Sequence, residues 1–293
     1  MRILATGASG QVGAELSQIS WPEGVELVMA SRAELDLTDV DAIGEFVSTG
    51  GFDVVINPAA YTAVDKAEAD MVAAWRVNAL APAALAEATR KARIPLLHVS
   101  TDYVFDGLKV GAYVESDWIS PIGVYGASKA AGELAVRTGN PRHVIMRTSW
   151  VFSANGNNFV KTMLRLAGEK QRLRIVDDQH GCPTSAKDIA TALATIAVRL
   201  ASDPSSPSGT YHFANKGAVT WYGFAQEIFR QLASTGNKVP VVDAISTIDY
   251  PTPAKRPANS VLNTEKIVRD FSICPRPWDV ALAETLVELK NRQ

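Results

Sequence analysis

Short apolar runs alternate with longer amphipathic stretches through the first half of this chain. Arg2-Ile3-Leu4-Ala5-Thr6, Val25 to Ala30, Phe52 to Asn57, Ile94 to Ser100 and residues 143–148 each read as a short buried strand. Between them, the segment from Ala14, residues 40–49 and residues 70–92 carry apolar positions at helical spacing. Strands alternating with helices predict an α/β fold with a doubly wound parallel sheet, its crossovers right-handed. Thr38 or Asp39 is placed to cap the helix 40–49. In the helix 70–92, Trp75 and Leu80 are expected in the core, and Asn78 as a buried, hydrogen-bonded polar residue. Asp65, Glu68 and Asp70 read as an acidic start to that helix rather than a metal cluster.

The pattern loosens after residue 150. A helix over 157–170, with Phe159, Met163, Leu164 and Leu166 on its apolar face, leads to a strand at 172–176. Asp188 is expected to start a helix over 188–201, whose Ile189, Ala192, Leu193 and Ile196 form a buried stripe. A surface turn at 202–209 precedes a strand at 210–215 and a helix at 221–232. Residues 240–263 read as a Pro-rich irregular loop before a closing helix at 279–291.

Composition narrows the classes. The 293 residues are 47% hydrophobic and 20% charged, enough for a substantial core in one large domain or two joined ones. Net charge is −2, from 29 basic and 31 acidic residues, and the basic residues do not cluster, so no nucleic-acid partner is expected. No apolar run approaches the roughly 20 residues of a membrane span, and the apolar start is too short for a signal peptide. Cys182 and Cys274 are far apart, and His98, His143, His180 and His212 share no metal-like spacing. A cytoplasmic protein with free thiols and no metal site is the expectation.

Candidate chemistry begins at the first strand's end. Gly7-Ala8-Ser9-Gly10-Gln11-Val12-Gly13 offers a tight turn, close backbone approach to a diphosphate and a helix N-terminus aimed at negative charge. An NAD site usually has an acidic residue roughly 20 positions past the glycines; Arg32 stands there instead, and a guanidinium suits the 2′-phosphate of NADPH. NADPH is therefore the expected cofactor, with NADH as the other possibility. Asp36 and Leu37 are candidates for the adenine, and Ala59, Ala60, Tyr61 and Thr62 lie where the third strand's end lets a cofactor approach. Thr101 follows the fourth strand and can present a hydroxyl to a carbonyl substrate. Tyr125 and Lys129 are four residues apart, on one helical face. A cation beside a phenol favours the ionised form, so Lys129 is expected to lower the Tyr125 pKa and fit it for proton transfer.

Glycine turn, Ser100-Thr101-Asp102-Tyr103-Val104-Phe105 and Tyr125-x-x-x-Lys129, in this order, resemble the extended short-chain dehydrogenase/reductase family. Ala60 to Glu68, Arg147 to Phe152, Gly156 to Met163, Asp178 to Thr184 and Pro251 to Ser260 are similar to segments of its dTDP-4-dehydrorhamnose reductase branch, and they span nearly the whole chain. The resemblance implies reduction of dTDP-4-dehydro-L-rhamnose to dTDP-L-rhamnose, a dTDP-sugar substrate, and a smaller substrate lobe. Residues 1–150, joined by 186–202, would then bind the dinucleotide, and 151–185 with 203–293 the substrate. It implies Tyr125 as general acid, Lys129 on the nicotinamide ribose, Thr101 orienting the keto oxygen with Asp102 beside it, and Trp150 against the sugar ring. Asn158 joins them as a substrate contact, and Arg256 is the choice for the diphosphate, unless it only closes its loop on the core. Some members dimerise around magnesium. Glu15 matches one ligand, but Lys187 stands where a second carboxylate belongs, and a cation there opposes a hard divalent ion. Magnesium is therefore doubtful, and a monomer or a different homodimer is expected.

Three alternatives stay open. A nucleotide-sugar dehydratase generally needs a further acid/base pair beside the threonine, whereas Asp102 is followed by Tyr103. An epimerase keeps NAD, which Arg32 disfavours. A non-catalytic NADP-binding regulator, like that of methionine adenosyltransferase, would not need Thr101, Tyr125 and Lys129 intact.

Overall fold

The computed structural model describes residues 1–292. Strands β1 (Arg2–Ala5), β2 (Glu26–Met29), β3 (Val54–Asn57), β4 (Leu96–Thr101) and β5 (His143–Thr148) join a sixth, Gly209–His212, in one sheet. The order is sixth, β5, β4, β3, β1, β2, and every pairing is parallel. Both faces are covered, so the central strands are apolar without alternation: all of Val54, Val55, Ile56 and Asn57 is buried. One face packs on the Ala186–Ser202 helix through Ile189, Leu193 and Ile196. The other packs on helices Val40–Thr49, Ala81–Ala92 and Val124–Gly139 through Ile43, Leu85 and Val136. From β1 the chain builds β2 on one side and then crosses to β3 on the other. That reversal opens a crevice at the carboxyl ends of β1 and β3.

A separate core gathers Phe152, Val160, Met163, Leu173, Phe224, Ile228 and Leu282 from the helices Phe159–Glu169, Trp221–Ser234 and Trp278–Asn291. No helix among the described residues is long and apolar enough to cross a membrane.

Four expectations need correction. The stretch 70–92 is not one regular helix: a π turn over Arg76–Leu80 separates Met71–Trp75 from Ala81–Ala92. The wider turn rotates the face, burying Asn78 and leaving Trp75 39% and Leu80 53% exposed, so neither is core. The helix expected from Asp188 begins at Ala186 after Ser185, which places Asp188 inside its first turn, where it pairs with Arg276 at 2.9 Å. Within the expected loop 240–263, Val241–Ile245 forms a strand paired in parallel with Arg172–Val176. A helix at Glu265–Phe271, absent from the sequence reading, covers the sheet through Ile267 and Phe271.

Candidate active site

The turn after β1 is shaped by contact. Gly7 has φ +66, and a β-carbon there would press on Ala59 beyond β3; one on Gly13 would overlap the carbonyl of Gly7. The helix Gln11–Leu16 follows Gly10, and no side chain caps it, which leaves its first-turn N–H groups for an anion. These features suit a pyrophosphate lying across Gly7, Ser9, Gly10, Gln11, Val12 and Gly13. Past β2, the Arg32 side chain is 83% exposed and stands 3.9 Å from Asp36, whose carboxylate accepts from the Thr38 amide and hydroxyl. Leu37 packs against the sheet's core. Beyond β3, Ala59, Ala60 and Tyr61 are half-buried and Thr62 exposed. Asn78, buried as expected, holds this segment: its Oδ1 accepts from the Tyr61 amide at 2.8 Å, and its Nδ2 donates to the Tyr61 carbonyl and to Ser128 Oγ.

Ser128 lies on the Val124–Gly139 helix between Tyr125 and Lys129. That helix starts at Gly123, and the Val124 amide donates to Glu68 Oε1 at 2.8 Å, a carboxylate at a helix N-terminus. Tyr125, Lys129 and Glu133 follow at successive turns of one face, all buried. Lys129 Nζ donates to the Val99 carbonyl at 2.6 Å and lies 3.4 Å from His98 Nε2. Burial pulls its pKa down to about 8, against the pull of the Glu133 carboxylate.

Thr101, at the end of β4, donates to Asp102 Oδ1 at 2.9 Å and accepts from the Tyr103 amide. The Tyr125 phenol lies beside this hydroxyl. Burial raises the phenol's pKa well above its usual value, outweighing the nearby hydroxyl, and the Asp102 carboxyl raises it further. The expected lowering by Lys129 is therefore corrected: the ammonium is tied to Val99 and His98, and desolvation wins. A high pKa keeps the phenol protonated, which suits a donor more than a base.

Asp102 is 2% exposed, and its Oδ2 has no hydrogen-bond partner. Burial pushes its pKa from 3.8 up to about 6, against the Ser260 and Thr101 hydroxyls. The folded state thus holds this proton more tightly than the unfolded chain, so stability falls as pH rises between about 4 and 6 and stays lowered above. Asp102→Asn is expected to be more stable than the wild type at neutral pH by up to about 3 kcal/mol, the gap closing below pH ~4. Urea unfolding at both pH values measures it.

Trp150, Asn158 and Arg256 are the residues expected on the sugar side. Trp150 has φ +47, stacks on Trp221 with ring centroids 3.5 Å apart, and overlies the backbone of Gly181. Asn158 caps the Phe159–Glu169 helix at the Lys161 amide, and its Nδ2 donates to Gln11 Oε1 at 2.9 Å, so it bridges to the phosphate turn. Arg256 pairs with Asp65 at 2.7 Å and donates to the Tyr103 hydroxyl at 3.2 Å, whose ring meets Tyr125 edge-on. It does close its loop on the core, with donors left over for a phosphate. Glu15 is buried, its Oε1 accepting from Ser153 and Asn155, and Lys187 lies 3.8 Å from Glu284. That set does not suit magnesium. Among the described residues no group of His, Cys, Asp and Glu is disposed to hold a metal.

Sequence reasoning missed Glu68 as the helix-start carboxylate, and missed Glu133. The latter had a signal: it continues the four-residue spacing of Tyr125 and Lys129.

The chain is similar to known proteins over its length. The family model described as the RmlD substrate binding domain matches residues 1–291. A dTDP-4-dehydrorhamnose reductase of Aggregatibacter actinomycetemcomitans is 46% identical over 96% of this chain and 97% of its own. Among solved structures, the dTDP-4-dehydrorhamnose reductase of Clostridium acetobutylicum superposes with a TM-score of 0.92 at 38% identity, covering 99% of this chain and 100% of its own. That of Bacillus anthracis, solved in complex with NADP, gives a TM-score of 0.90 at 34% identity, covering 98% and 99%.

Proposed function

The chain belongs to the RmlD family of dTDP-4-dehydrorhamnose reductases, and on that premise we propose that it reduces the C4 ketone of dTDP-4-dehydro-L-rhamnose to dTDP-L-rhamnose, with NADPH as reductant and Tyr125 as proton donor. The observation that carries this reading is the meeting of a protonated phenol and the Thr101 hydroxyl at the carboxyl end of β4, with Lys129 one turn from Tyr125. Bound reduced nicotinamide supplies a hydride to C4. As charge develops on the C4 oxygen, Thr101 hydrogen-bonds it and Tyr125 transfers its proton, leaving a secondary alcohol. Lys129, its ammonium held by the Val99 carbonyl and His98, offers its remaining donor to the ribose. Trp150 and Asn158 sit on the sugar side, with Asp102 beside the keto group, and Arg256 is assigned to the diphosphate. We assign residues 1–150 with 186–202 to the dinucleotide, and 151–185 with 203–293 to the sugar nucleotide.

NADPH oxidation in the presence of dTDP-4-dehydrorhamnose tests the reading. Stoichiometric oxidation with formation of dTDP-rhamnose supports it. Cofactor binding without consumption indicates a regulator, and redox-neutral conversion of the sugar an epimerase or dehydratase.

Arg32 is proposed to read the 2′-phosphate. Arg32→Ala is expected to weaken NADPH by about tenfold, the worth of one charge-assisted contact, with NADH affinity unchanged. Fluorescence titration with the two cofactors separates this from a solvated arginine, whose loss would leave both affinities as they were.

A further inference from the structure

A row of buried polar side chains runs across the sheet beneath Lys129. Asn57 and His98 are register partners on β3 and β4, and Asn57 Nδ2 lies 3.1 Å from His98 Nδ1. Thr6, just past β1, donates to Asn57 Oδ1 at 2.7 Å. At the other end His98 Nε2 is 3.4 Å from Lys129 Nζ. None of the four side chains is more than 1% exposed, so no bulk water replaces a lost partner.

We propose that His98, braced by Asn57 and Thr6, is a positioning residue that fixes the direction of the Lys129 ammonium. The inference rests on the assignment of Lys129 to the catalytic set. A lysine stem has four rotatable carbons, and its head has three donors that point tetrahedrally. One acceptor alone, the Val99 carbonyl, leaves the head free to swivel. A second acceptor at His98 stops the rotation and aims the third N–H along a single line.

Hydrogen positions explain why two residues back one histidine. An ammonium needs a lone pair on Nε2, so the imidazole carries its proton on Nδ1. Asn57 must then turn its amide oxygen to the ring and its nitrogen to Thr6, whose hydroxyl accepts. With Asn57 Nδ2 towards the ring instead, Nδ1 accepts, Nε2 carries the proton, and it donates to an uncharged amine. Asn57 as placed here, with Oδ1 to Thr6 and Nδ2 to the ring, is the second arrangement; a half turn of its amide and one tautomer exchange give the first. Burial and the nearby Lys129 charge keep His98 itself neutral. The groups facing the Lys129 head are His98 and the Val99 carbonyl from β4, with the Glu133 carboxylate from its own helix.

Substitution by Gln and by Asn separates positioning from filling. Glutamine reaches the Nε2 position and can turn its amide to accept or donate; asparagine reaches only Asn57. His98→Asn is expected to weaken NADPH by about tenfold. It also moves the alkaline limb of the kcat profile to lower pH, because an ammonium with fewer acceptors loses its proton sooner. His98→Gln is expected to restore most of both. Fluorescence titration gives the affinities, steady-state rates the profiles, and thermal melts the stability. Unchanged affinity and profile in His98→Asn overturns the inference. So does equal loss in both variants that follows the melting temperature while the profile stays in place. Lys129→Met keeps the two readings apart: if it turns over normally, the proposed function itself fails, whereas an inactive Lys129→Met beside an unaffected His98→Asn removes only the role of His98.

Discussion

Tyr125→Phe is expected to turn over 10²- to 10⁴-fold more slowly than the wild type, roughly the worth of a positioned general acid, with NADPH affinity little changed. The ring is buried and packed edge-on against Tyr103 at 5.5 Å, and phenylalanine fills the same space. What disappears is the one proton placed beside the Thr101 hydroxyl. Thr101 cannot replace it: its single proton, given to Asp102 Oδ1 in the free site, turns to hydrogen-bond the C4 oxygen, and an alcohol is too weak an acid to surrender it. Because burial holds the phenol far above its ordinary pKa, the wild-type rate should not fall through tyrosine ionisation at neutral pH. The alkaline limb is expected instead near pH ~8, where Lys129 loses its charge. Single-turnover measurement of NADPH consumption isolates the chemical step. Turnover by Tyr125→Phe near that of the wild type would eliminate the mechanism.

The second large effect concerns stability. Arg147 and Glu133 are 1% and 0% exposed and form a two-pronged pair, with Nε and Nη2 of the arginine 2.8 and 2.6 Å from the two carboxylate oxygens. Arg147 also lies over the Phe105 ring and meets His212, whose pKa burial and that same arginine lower to about 3. Arg147→Met keeps most of the volume and removes both hydrogen bonds from a buried carboxylate, leaving it only the longer pairing with Arg137 at 3.8 Å. The expected cost is about 3–5 kcal/mol, a large part of the stability of an ordinary domain. Adding Glu133→Leu should recover much of that cost, since it removes the poorly paired buried charge. Urea unfolding of the two single variants and the double variant closes the cycle. A single-variant loss below about 1 kcal/mol would mean that Glu133 finds water or a proton instead.

Much of the sheet was legible because its strands are buried on both faces and read as unbroken apolar runs, as in Phe52 to Asn57. The cofactor turn was legible because only glycine accommodates the approach of Gly7 to Ala59 and of Gly13 to Gly7. Asp39 caps its helix as expected, accepting from the amides of Asp41 and Ala42. The strand Val241–Ile245 escaped notice because its partner, Arg172–Val176, is far away in sequence and its side chains are only partly covered. Trp75 and Leu80 were misplaced because helical periodicity assumes a regular turn, and the π turn at Arg76–Leu80 breaks that phase. The phenol's raised pKa was hidden for a related reason. Spacing tells which groups share a face, but not that β4 supplies the ammonium with acceptors of its own.

The Ala186–Ser202 helix is made late in the chain yet covers a sheet whose first strand begins at Arg2. A nascent chain that has emerged only through β5 would therefore display Ile3, Val54, Leu97 and Val144 bare on one side. Excising residues 1–150 as a contiguous fragment should yield an insoluble product, and a soluble fragment would need residues 186–202 spliced back on.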